Sequence, residues 1–137
     1  MYKSLAVLFV PLMLVACASV QTPSDSPSSA AVGADIKALT GTSWQGLWGG
    51  HMTTHMKLVV KEADANSLNG IVTLTGDGQG LSVSASGKVI KVTKNGTLIH
   101  VTADGGRVFD LNYSGGNTME GQGTSAIHHG PVNLTKN

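Results

Sequence analysis

Apolar and polar residues alternate with period two through most of the chain after Ile36. Met56, Leu58 and Val60 alternate with Lys57 and Lys61, Leu81, Val83 and Ala85 with Ser82, Ser84 and Ser86, and Phe109, Leu111 and Tyr113 with Asp110 and Asn112. That period predicts strands with one buried face. Between the runs stand Asn66-Ser67, Asp77-Gly78, Asn95-Gly96, Asp104-Gly105-Gly106 and Gly115-Gly116-Asn117, residues that tolerate the positive φ angles of tight turns. The clearest hairpin is expected at Asn95-Gly96, a type I′ dipeptide between β-branched arms. Near Gly87 the inward set changes parity, from Ala85 to Ile90 and Val92, which predicts a β-bulge or a sharp corner.

A single antiparallel sheet with one apolar face must cover that face, and closure into a barrel does so while removing the edges. The expected fold is therefore all-β, a small antiparallel up-and-down β-barrel of 8 to 9 strands over residues 36–137, with a two-sheet β-sandwich as the alternative. One helical turn is expected just before the first strand, at 35–39. That turn, followed by Gly41-Thr42-Ser43-Trp44 at the head of a meander, resembles the small lipocalin-like barrels, one residue removed from their usual Gly-x-Trp.

The first residues follow another pattern. Lys3 supplies one positive charge, and Leu5 to Ala16 form an apolar run broken only at Pro11. This reads as a secretory signal peptide over 1–16, because so short a run falls below the roughly 20 residues of a transmembrane helix. At its end Leu14-Val15-Ala16-Cys17 resembles the lipobox of bacterial lipoproteins. The resemblance implies cleavage before Cys17, a diacylglycerol on its thiol, acylation of the new amine, and a membrane as partner. With Ala18-Ser19 after the cysteine rather than Asp, it further implies the periplasmic side of the outer membrane. Residues 17–35 are rich in Ser, Ala and Pro and nearly lack large apolar side chains, so they are expected to be a flexible linker.

Charge and composition narrow the function. Without Lys3 the chain has eight basic and eight acidic residues, which argues against nucleic acid and against a polybasic grip on anionic lipid. Its only cysteine is Cys17, so the barrel has no internal disulfide. Catalysis has little to work with. Asp64, Asp77 and Asp104 sit in turn signals where they are expected to cap local backbone, and Glu62, Asp110 and Glu120 lie at strand ends or on polar parity.

Two residue sets remain as candidates. Trp44 and Trp48 share parity; Trp44 is expected to plug a barrel end and Trp48 to line an open mouth, with Tyr113 as a third aromatic ligand contact. His51, His55, His128 and His129 are the candidate metal ligands, for Zn or Cu. Two strand residues four apart are about 13 Å apart, so neither histidine pair chelates within one straight strand. Flanking Gly49-Gly50 and Gly130-Pro131 predict that these histidines lie near the surface at the rim, where the two segments would have to converge to bind an ion. Small residues at inward positions, Gly70, Ala85, Gly121 and Gly123, have two readings: close strand approach, or an interior cavity. The expected function is a membrane-tethered periplasmic binding module, not an enzyme. It would hold a small apolar ligand or a protein partner, such as a hydrolase that it inhibits or an envelope complex, with a structural or assembly lipoprotein as the alternative.

Overall fold

The computed structural model describes residues 36–50, 52–76, 79–93 and 95–137. The signal peptide, the lipobox with Cys17, the linker, His51 and the Asp77-Gly78 turn lie outside them. Eight strands follow one another: β1 (Ser43–Trp48), β2 (Thr54–Ala63), β3 (Ser67–Gly76), β4 (Gln79–Thr93), β5 (Gly96–Ala103), β6 (Arg107–Tyr113), β7 (Thr118–Thr124) and β8 (His129–Lys136). Each pairs antiparallel with the next, and β1 also pairs with β8 from Trp44↔Lys136 to Trp48↔Val132, closing the barrel. Closure decides against the sandwich, which would leave two separate sheets with edges.

The alternation carries through to burial. Met56, Leu58 and Val60 point inward from β2 and Phe109, Leu111 and Tyr113 from β6, all buried. Gln45, Lys57, Ser84, Asp110 and Glu120 face outward and are exposed. A polar wall around an apolar interior is the reverse of a lipid-spanning barrel, whose outer band must be apolar.

The expected bulge exists but lies further along. Gly87 stays in register opposite Leu68, and the shift falls between Val89 and Lys91. Ile90 is the extra residue and is 53% exposed, not inward, as is Val92 at 39%. The bulge also sets the hairpin. With Ala85 to Val89 locked against Ile99 to Ala103, one added residue leaves Thr93 opposite Gly96, so Gly96 belongs to the β5 ladder rather than to an Asn95-Gly96 loop. A second shift, between Val60 and Glu62, has no counterpart in the alternation pattern.

One barrel end is closed by the chain entering it. A single turn brings the Leu39 amide to Ile36 O and the Thr40 amide to Lys37 O, and it buries Ile36 and Leu39 completely. The Thr42 hydroxyl donates to Leu39 O at 2.6 Å and accepts from Trp44 Nε1 at 2.8 Å. Trp44 is therefore the expected plug, with Tyr113 edge-on to it at 5.8 Å.

The small inward residues take the packing reading. A Cβ on Gly123 would stand 2.6 Å from Trp48 Nε1 and 2.9 Å from Phe109, and one on Gly87 would meet Leu68. At Gly70 and Gly121 a Cβ would overlap the carbonyl oxygens of Val59 and Asp110 on neighbouring strands. Small residues thus sit where large side chains or close strands fill the volume, as an eight-stranded barrel allows.

Asp64 shows the turn chemistry expected of it. Its Oδ1 accepts from the amides of Asn66 at 2.7 Å and Ser67 at 2.8 Å, and its Oδ2 accepts from the Ser67 hydroxyl at 3.0 Å. The Asn66 amide, then the two Ser67 donors, hold the carboxyl below its ordinary 3.8, and Lys37 adds a smaller pull in the same direction. Because the folded pKa is depressed, the stabilisation is complete above the unfolded value and is lost as pH falls through the folded one. Carboxyl NMR titration should give Asp64 a midpoint below 3.8. Asp64→Asn should reduce stability at neutral pH and erase this contribution to acid sensitivity, and a midpoint at or above the ordinary value would contradict the turn geometry.

Candidate functional site: the apolar mouth

At the barrel end opposite Trp44, the loop after β7 makes a tight turn. The Ser125 amide donates to His128 O at 2.7 Å, and Ser125 Oγ accepts from the His128 amide at 3.1 Å. Closing the loop on Ser125 throws Ile127 outward, 79% exposed, and swings His128 inward, 5% exposed. The imidazole packs edge-on against Trp48 with ring centroids 4.4 Å apart. Trp48 in turn meets Phe109 edge-on at 5.1 Å, so the indole forms the floor of this end.

Above that floor lies an open pocket of about 210 Å³, lined by Trp48, Met52, Leu81, Arg107, Ile127 and His128 among others. Met52 is 48% and Leu81 43% exposed. Leu81 has interior parity, being paired with buried Leu74, but it stands at the rim rather than within the barrel. Three large apolar side chains, Met52 and Ile127 from connections and Leu81 from the start of β4, therefore ring one opening. A larger groove of about 540 Å³ runs along the outer wall past Gln45, Leu47, His55, Lys57, Thr73 and Thr135. That groove too is lined mostly by apolar surface, but Leu47 is the one exposed large apolar side chain in it, whereas three such side chains gather at the mouth.

The residues singled out in the sequence are divided by the fold. Trp48 lines the mouth, whereas Trp44 and Tyr113 pack together near the closed end, so the three aromatics form no common site. Of the histidines, His55 is exposed on the outer wall and His129 faces outward with Nδ1 3.1 Å from Thr124 Oγ1. His128 is buried, contrary to the rim position expected for it. Adjacent strand residues point to opposite faces, and the Ser125 turn assigns the inner face to His128. Among the described residues, no three side chains of His, Cys, Asp or Glu converge in a way that would hold a metal ion. His100 instead pairs with Asp110 across β5 and β6, Nδ1 to Oδ1 at 2.6 Å, on the outer wall.

Sequence reasoning missed Met52, Arg107 and Ile127 and misplaced Leu81. The available signal was Ile127 itself, a β-branched apolar residue in a segment that otherwise reads as a polar connection. Fold and site together define a small closed up-and-down barrel with a packed interior and one apolar mouth. In comparisons with protein-family models, curated proteins and solved structures, nothing matched the chain.

Proposed function

We propose that this chain is a protein-binding module of the bacterial envelope, tethered through a lipid on Cys17 and docking its partner at the mouth. The observation that carries the reading is the convergence of exposed Met52, Leu81 and Ile127 over Trp48. Size selects among occupants. A pocket of about 210 Å³ falls below the roughly 300–1,000 Å³ of sites that enclose a whole small molecule, and the interior beneath it is packed. It suits one apolar side chain. Ile127, 79% exposed, projects beyond what such a group would cover, and a protein surface closing over the rim would bury it.

The lipobox-like Leu14-Val15-Ala16-Cys17 supports the tether, and the outer membrane is the location that its neighbours favour. Ile36 packs at the closed end, so a tether joined to it would enter the barrel opposite the mouth and leave the mouth free to face away from the anchoring bilayer. Catalysis is not part of the proposal. The His100–Asp110 pair stands on the outer wall, away from the mouth.

The test uses the full chain in bacterial cells, with a photo-reactive phenylalanine analogue placed at Ile127 or, as a control, at outward-facing Ser84. Illumination should give one discrete protein adduct from position 127 and none from position 84, with the protein in the membrane fraction and released from it by Cys17→Ser. Equal labelling from both positions, or no adduct from 127, would defeat the docking reading. Unchanged membrane retention of the Cys17→Ser chain would defeat the lipid tether.

A further inference from the structure

Among the described residues that line the mouth, Arg107 alone carries a permanent charge. Arg107, the first residue of β6 and partly buried, lines the mouth beside Trp48, Ile127 and His128. We infer that the mouth reads a carboxylate next to the apolar side chain it receives, so that the partner segment is a large apolar residue flanked by Asp or Glu, with the acid held by Arg107. This rests on the docking reading above and adds the chemistry of the partner.

The guanidinium is held in place by its own turn. Arg107 Nη1 donates to Asp104 O at 2.7 Å, and a Cβ on Gly105 would overlap that same nitrogen. Gly105 therefore does two things, adopting φ +80° and leaving space for the guanidinium to lie across the turn. One donor of the five is committed to Asp104 O, and the side chain has already lost much of the rotamer freedom that binding would otherwise take.

No described carboxylate neutralises it. Asp104 contributes its backbone carbonyl, and the one ion pair among the described residues is His100–Asp110 on the outer wall. A fork of N–H donors beside an apolar pocket matches a carboxylate bidentately, and the pair strengthens as a partner closes over it and excludes water. An apolar side chain alone would use Trp48 and Ile127 but leave the guanidinium covered and unpaired, which disfavours it.

Two isosteric probes separate the terms, N-acetyl-Leu-Asp-amide and N-acetyl-Leu-Asn-amide, titrated against the full chain purified from membranes in detergent. The readout is the ¹³C-methyl signals of Ile127 and Met52. The acidic probe should bind about ten-fold or more tightly than the amide, as expected for a charge-assisted hydrogen-bonded pair. The ratio should shrink with added salt. In Arg107→Gln the ratio should fall to about one. Equal binding of the two probes to the wild type, or a preference that survives Arg107→Gln, would overturn the carboxylate inference and leave the apolar mouth standing. Failure of both probes to move either methyl signal would overturn the mouth reading together with it.

Discussion

Trp44→Ala is expected to lower the unfolding free energy by about 3–5 kcal/mol, the range for deleting a buried aromatic from a core. The position combines three losses. Trp44 is fully buried, its indole N–H is satisfied by Thr42 Oγ1 at 2.8 Å, and it carries the edge contact to Tyr113. The hydrogen bond matters beyond its own energy because the same hydroxyl donates to Leu39 O, fixing the turn that seals the barrel. For a domain of about a hundred residues each kcal/mol moves Tm by roughly 4–8 °C, so the variant should melt at least about 12 °C lower or fail to fold. Trp48 makes a contrast within the same strand. Its Nε1 is buried but has no hydrogen-bond partner among the described residues, and it borders an open pocket, so Trp48→Phe should be tolerated far better than Trp44→Phe. Denaturant titration of the three variants checks the ranking, and a Trp48→Phe loss equal to that of Trp44→Phe would show that the closed end is not where stability concentrates.

Gly121→Ala should be more damaging than any other single-methyl addition on β7. Gly121 pairs with Leu111 on one side and Val132 on the other, and a Cβ there would fall inside the van der Waals envelope of Asp110 O. Overpacking that rotamers can absorb costs about 1–3 kcal/mol. Here the obstacle is a neighbouring strand's backbone, which moves only if the β6–β7 ladder opens, so the cost should reach or exceed the upper end of that range. Gly123→Ala is the informative comparison, because its added carbon meets the side chains of Trp48 and Phe109, which can shift toward the mouth. Gly123→Ala should therefore cost less while blue- or red-shifting the Trp48 emission. If Gly121→Ala unfolds at the wild-type denaturant midpoint, strand approach at this corner is not the reason for the glycine.

The strands were legible because a half-buried strand repeats every two residues, so Met56-Leu58-Val60 and Phe109-Leu111-Tyr113 declare their inner face wherever the sheet goes. The bulge was legible as a parity change but not as a position. Ala85, Gly87 and Val89 keep one face while only the cross-strand lock onto Ile99 to Ala103 makes Ile90 the extra residue. The mouth was the least legible part. Leu81 has core parity and core chemistry, and what exposes it is its height at the rim, a property of where β3 ends and β4 begins relative to the rest of the barrel.

The sequence by itself determined an all-β chain, the inward set of most strands, the core role of Trp44 and the turn role of Asp64, because each depends on local geometry and on the burial of one strand face. Tertiary structure decided closure through β1 and β8, the separation of Trp48 from Trp44 and Tyr113, and the burial of His128 beside an exposed Ile127. It also brought Met52, Leu81, Arg107 and Ile127 together from four parts of the chain. Their proximity depends on strand register, barrel closure and the Ser125 turn acting together, and no periodicity within a single strand encodes that combination.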